Sequence, residues 1–221
     1  MSDPKQILMV VTNHDQIDAD HQTGLWFEEF AIPYHLFQQH GYQVTVASPK
    51  GGRSPLDPRS VPDVDQAKDQ ADALQALMAT EPLDSVNLDS YDAVFFPGGH
   101  GTMYDLPTPA VGRVVSQFAE AQKLVAAVCH GPAALVSAIG ANGKPLVQGR
   151  KLTGFTNEEE QEVQLDQLMP FLLESQLSEL GAQFVSAANW SDHVVVDGNL
   201  ITGQNPQSSA STAQAMIDSL D

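Results

Sequence analysis

Short apolar runs alternate with stretches of helical spacing along most of the chain. Segments 7–11, 93–96 and 124–128 are uninterrupted apolar runs, and 42–47 is β-branched-rich; each reads as a buried strand. Segment 25–39 places Leu25, Phe30, Ile32, Leu36 and Phe37 at helix-compatible intervals, with Gly41 beyond them as a C-terminal stop. Helical patterns follow the third and fourth strands, at 110–121 and 132–138. This rhythm predicts an α/β fold with a mostly parallel central sheet covered on both faces. Segment 49–89, rich in Asp, Pro and Ser, interrupts it. Its middle, 65–78, reads as a helix, and the whole as surface elaboration of a single domain spanning 1–221. The C-terminal third predicts a helix over 170–180 ended by Gly181 and short strands at 184–186, 194–196 and 200–201. Asp197-Gly198 reads as a hairpin turn, and Asn205-Pro206 as the cap and first turn of a last helix to 220.

Charge narrows the partners. Ten Lys and Arg stand against 28 Asp and Glu, a formal charge of −18 with no basic run. That field repels nucleic acid and anionic membrane surfaces. No apolar stretch reaches membrane-spanning length. With one cysteine, no intramolecular disulfide forms, and a cytoplasmic location is the expectation.

That cysteine is the strongest chemical candidate. In Ala126-Ala127-Val128-Cys129-His130-Gly131-Pro132 a buried strand ends at Cys129, and Pro132 suits a first helical turn. The layout resembles a nucleophile elbow, with Gly131 permitting the tight path and a helix N-terminus lowering the thiol pKa. A buried structural cysteine is the competing reading. Pro97-Gly98-Gly99-His100-Gly101 follows another strand, and its backbone N–H groups suit an oxyanion hole; the alternative is a tight loop. It is no nucleotide motif: GxxxxGK[ST] is absent, and Tyr104 stands where the dinucleotide pattern needs glycine. Glu28 and Glu29 open a helix, where acids serve the dipole; yet Glu29 lies among Phe27, Phe30 and Ile32, and a buried carboxyl there would shuttle protons near neutrality. In the run Glu158-Glu159-Glu160, Glu158 and Glu159 read as a solvated helix start. The seven histidines contain no HExxH, and no metal site is expected.

These stretches, with Ser48-Pro49-Lys50-Gly51-Gly52, Thr153-Gly154-Phe155-Thr156-Asn157, Pro170-Phe171-Leu172-Leu173-Glu174 and Thr202-Gly203-Gln204-Asn205-Pro206-Gln207-Ser208, resemble the DJ-1/PfpI superfamily, and within it the Hsp31-like branch. The resemblance runs almost the whole chain. It implies a flavodoxin-like three-layer sandwich, shared with class I glutamine amidotransferases. Cys129 would be the nucleophile, with His130 beside it, Glu29 approaching the sulfur and Glu160 orienting the histidine, although Glu158 and Glu159 stay open for that last role. Gly98, Gly99, His100 and Gly131 would bind substrate or the oxyanion.

The activities so implied are a glyoxalase III (D-lactate dehydratase) needing no cofactor, deglycation, stress-response holdase chaperoning and weak peptidase action. Partners would be small dicarbonyls and unfolded or glycated proteins, and the expected assembly is a homodimer. In the enzymatic scheme the Cys129 thiolate adds to methylglyoxal, and Glu29 moves a proton between the carbons through an enediol. Water then frees lactate from a lactoyl thioester. The rivals are a stress chaperone and a cysteine peptidase or amidase of the same superfamily. An amidotransferase proper fits poorly, because the chain holds no His-x-Glu.

Overall fold

The apolar runs become the middle of a parallel sheet because only a strand covered on both faces can bury every side chain. The computed structural model describes residues 3–221. Its elements are, in order, β1 (Gln6–Val10), α1 (Phe27–Gln39), β2 (Gln43–Ser48), α2 (Val64–Asp69), α3 (Ala71–Ala76), β3 (Glu81–Pro82), β4 (Ala93–Phe96), α4 (Thr102–Asp105), α5 (Pro109–Glu120), β5 (Leu124–Val128), β6 (Lys151–Leu152), α6 (Asn157–Glu162), α7 (Leu173–Glu179), β7 (Gln183–Phe184), β8 (Val194–Asp197), β9 (Leu200–Gly203) and α8 (Ser209–Leu220).

The main sheet has the order β3-β2-β1-β4-β5-β9-β8. All neighbours are parallel except β8 and β9, which join antiparallel through the Asp197-Gly198 turn. Helices α1 and α8 pack together over one face, and α5 lies against β4 and β5 on the other. This is the three-layer sandwich expected. Strands β1, β4, β5 and β9 are almost wholly buried. Their C-terminal ends open onto the loops that follow, where open parallel sheets bind ligands. A separate pair, β6 and β7, flanks the sheet. Among the described residues no helix is long and apolar enough to cross a membrane.

Several boundaries differ from those read in the sequence. No α-helix follows β5: Gly131–Leu135 is a 3₁₀ turn. The 65–78 pattern is two short helices broken at Gln70, which leaves helical geometry at φ −119°. The last helix begins at Ser209 after a 3₁₀ turn over Pro206–Ser208, and Asn205 does not cap it with its side chain. The Asn205 amide instead donates to Glu159 Oε1 at 2.8 Å and to the Ser191 carbonyl at 2.9 Å. Segment 49–89 is more than decoration. It contributes edge strand β3, and its backbone clasps Leu25 through Leu25 N–H to Pro55 O and Asp57 N–H to Leu25 O, both 2.9 Å.

Helix α5 reaches the chain beyond the elbow through Gly112. A Cβ there would fall inside van der Waals contact of the Ser137 carbonyl. Gly112→Ala gains about 0.5–1 kcal/mol of helix propensity, but overpacking against rigid backbone costs about 1–3 kcal/mol. The clash wins. Urea unfolding should therefore show Gly112→Ala less stable than the parent, and an unchanged or raised midpoint would refute this account of the α5 contact.

Candidate active site

Cys129 sits where β5 ends, with φ at +59°, a left-handed conformation that costs a non-glycine residue energy and persists only where its surroundings impose it. Two strong bonds do so. The Cys129 N–H donates to Gly203 O on β9 at 3.0 Å, and the Phe155 N–H donates to Cys129 O at 2.8 Å. Gly131 is required for a different reason than backbone freedom: a Cβ would run into the Phe96 carbonyl at the end of β4. The elbow is thus held between β4, β9 and the Phe155 loop. Cys129 is only 3% exposed.

Glu29, from the first turn of α1, is fully buried beside it. Its Oε2 accepts the Gly98 N–H at 2.7 Å. Oε1 has no partner of ordinary hydrogen-bond geometry among the described residues. The Cys129 thiol is the neighbour that most favours the carboxylate form. Burial nevertheless dominates and raises the Glu29 pKa to about 8. Glu28, next in sequence, is exposed.

On the other side of the sulfur, His130 Nδ1 lies 3.3 Å from Cys129 Sγ, and His130 Nε2 meets Glu160 Oε2 at 2.6 Å. Glu160 Oε1 receives a second imidazole, Nε2 of His100, also at 2.6 Å. Burial alone would raise the Glu160 pKa, but the two histidines outweigh it and hold the carboxyl well below the usual range. His100 is pushed down to about 4, first by burial and then by His130. Its Nδ1 is 3.2 Å from Arg59 Nη2, and Arg59 is clamped by bidentate bonds to buried Asp57 at 2.9 and 2.8 Å. Phe155 packs at a tilt against His130 and meets His100 edge-on, with centroids at 4.3 and 5.9 Å.

The three consecutive glutamates of α6 separate cleanly. Glu158 is exposed, and Glu160 joins the histidines. Glu159 is buried, contrary to the solvated reading, because it closes a capping box with Thr156 and accepts from the Trp190 N–H and the amides of Gln204 and Asn205. The thiol expectation also changes. A 3₁₀ turn of five residues offers little dipole, and burial, ahead of the nearby Glu29, pushes the Cys129 pKa well up. At the loop after β4, Gly98 already spends its N–H on Glu29, and the His100 ring is engaged at both nitrogens. The N–H groups of Gly99 and His130 donate to no group among the described residues.

His100, His130 and Glu160 offer ligand atoms within 4.8 Å of one another, a set the sequence spacing did not announce. A cation there would have to displace both imidazole protons that now bind the carboxylate. Sequence reasoning also missed Arg59, Asp57 and the packing role of Phe155. Arg59 lies 70 positions from Cys129, and its segment is held over the sheet by the Leu25 clasp together with bonds from Ser54 to Thr12, Thr23 to Asp57 and Phe27 to Ser60. It lines a cleft of about 460 Å³ with Gln16, Ile17, His21, Gln22 and Leu165.

The chain has clear relatives. It is 29% identical to the glutathione-independent glyoxalase HSP31 of Saccharomyces cerevisiae, over 98% of both chains. With the glutathione-independent glyoxalase hsp3101 of Schizosaccharomyces pombe it shares 32% identity, over 88% of this chain and 86% of the other. Among solved structures, the rapid encystment protein of 24 kDa from Francisella tularensis superposes with a TM-score of 0.92 at 36% identity, covering 98% of this chain and 99% of that one. Glyoxalase III of Candida albicans superposes at 0.89 with 27% identity, covering 97% and 96%. The sequence profile of the DJ-1/PfpI family matches residues 24–219, and the chain belongs to that family.

Proposed function

We propose that this protein is a glutathione-independent glyoxalase that converts methylglyoxal to lactate, with Cys129 as nucleophile. The observation that carries this reading is the pair of unlike carboxyls around one sulfur. Glu160 is kept ionised by two imidazoles, while Glu29 has a pKa of about 8 and is mostly protonated at neutral pH. A simple amide-cleaving triad uses only the first. A reaction that moves hydrogen between adjacent carbons needs the second as well, as an acid and base poised near the working pH.

The steps follow from the proton positions. The Cys129 thiol passes its proton to His130 Nδ1 as sulfur bonds to the aldehyde carbon, and Glu29 protonates the former aldehyde oxygen. This gives a hemithioacetal, a Glu29 carboxylate and an imidazolium stabilised by Glu160. Because Glu29 holds its proton beforehand, the acid needed at the aldehyde oxygen is already in place. The carboxylate then takes the C1 hydrogen while His130 protonates the C2 oxygen, forming an enediol. Glu29 returns a proton to C2, and the C1 hydroxyl gives its own proton back to His130, leaving a lactoyl thioester. Water cleaves the thioester to lactate, a proton and the thiol, and proton transfer from His130 to Glu29 restores the starting state. The N–H groups of Gly99 and His130 are the donors available to the developing oxyanion. The relatives named as glutathione-independent glyoxalases support the substrate assignment.

With methylglyoxal and no thiol cofactor, chiral analysis should detect one lactate enantiomer. Cys129→Ala should lower kcat by more than about a thousandfold, and Glu29→Gln by about a hundred- to ten-thousandfold. Lactate formation at the parental rate by either purified variant would reject the scheme.

The buried acid also sets a stability profile. Its folded pKa of about 8 lies above the ordinary 4.5, so the folded chain holds a proton that the unfolded chain releases in that window. The cost of burying Glu29 is absent below pH 4.5 and grows up to about pH 8. Gln keeps an acceptor for Gly98 and carries no charge. The stability of Glu29→Gln relative to the parent should therefore rise across that window by as much as about 1.4 kcal/mol per pH unit. A difference that stays flat, measured by denaturant unfolding at several pH values, would show that Glu29 is not held neutral.

A further inference from the structure

The reaction scheme leaves one half of the buried network without a task. Arg59, His100 and Glu160 form a chain that enters the site from the side opposite Cys129. Each link in it restricts where protons lie. A guanidinium only donates, so Nδ1 of His100, 3.2 Å from Arg59 Nη2, presents a lone pair. The one N–H of the neutral ring is then on Nε2, aimed at Glu160 Oε1. With that oxygen taken, Oε2 is the one left for His130 Nε2, and this leaves His130 Nδ1 facing the sulfur.

We propose that His100, its tautomer locked by Arg59, is a positioning residue: it pins one oxygen of Glu160 so that the other holds His130 with Nδ1 as the atom that exchanges a proton with Cys129. The assignment rests on the reading of Cys129 as nucleophile and gives Arg59 and His100 a role that needs no contact with substrate. Three features fit it. Arg59 is not free to wander, because Asp57 grips it and Asp57 in turn accepts from Thr23 Oγ1 at 3.3 Å. His100 is buried, with its ring packed 4.1 Å from that of His130 and edge-on to Phe155. With a pKa near 4, it also keeps a single N–H throughout the neutral range. The other ionisable groups facing the Cys129–His130 pair are Glu29 from α1 and Glu159 and Glu160 from α6.

The test combines kinetics with the ring nitrogen signals of His130 in nitrogen-15 NMR. His100→Phe retains a flat ring but no donor. It should lower kcat for lactate formation by about 10- to 100-fold, the range seen when a group behind a working ligand is removed, with KM changed less than about twofold. The His130 Nε2 signal should lose the character of a fixed, hydrogen-bonded N–H. His100→Gln places an amide N–H near the original Nε2 and should recover most of kcat and the signal. Arg59→Lys, at a partly exposed position, should give an intermediate loss and tests the lock without emptying the core. If Cys129→Ser and His100→Phe are equally inactive but His130 keeps its wild-type signals in His100→Phe, the positioning role is wrong. Parental kcat in His100→Phe beside an inactive Cys129→Ser overturns it too, and leaves the nucleophile reading intact. Full activity in Cys129→Ser would instead remove the reading on which it rests.

Discussion

A single buried carboxylate, Glu160, organises the site by accepting one imidazole N–H on each oxygen. Burying a charge among hydrocarbon is expensive unless its hydrogen-bonding capacity is met. Here both bonds are 2.6 Å, and the donors are themselves buried. Everything nearby can be read as satisfying that requirement. Phe155 closes over the two rings, Arg59 fixes the outer one, and the elbow places the inner one against sulfur. Removing either histidine leaves an oxygen with no partner in a place water scarcely reaches.

The second carboxyl has the opposite fate for a stated physical reason. Glu29 has the Cys129 thiol and one backbone N–H beside it but no cation, so desolvation wins and raises its pKa. Two acids on the two sides of one thiol thus differ in charge at the same pH because their donors differ. That contrast, more than the cysteine itself, separates this arrangement from an ordinary acyl-transfer triad.

How much of this could be read from the chain depended on range. The apolar strands β1, β4 and β5 were legible to within a residue, since continuous burial writes itself as a continuous apolar run. The position of Cys129 at the end of β5 was legible from its strand-then-glycine setting. Glu29 was suspected from its aromatic neighbours. The turn after Cys129 misled, because Gly131 and Pro132 fit a helix start as well as a 3₁₀ turn. The partner of His130 could not be chosen among three consecutive glutamates. Each points a different way on α6, and only the tertiary positions of Trp190, Gln204 and Asn205 show that Glu159 is spoken for. Arg59 carried no local signal at all. Its place beside His100 comes from long-range contacts, among them the backbone near Leu25 that pins residues 55–57.

Insertions in surface loops are normally the variable and forgiving part of a domain. In this protein the same segment delivers a guanidinium to the buried His100, so its length and anchoring set where Arg59 meets that ring. Grafting that loop between relatives would transfer electrostatic tuning along with shape. Trimming it for crystallisation or engineering would take the guanidinium from His100 and, if the cut ran far enough, the edge strand β3 from the sheet.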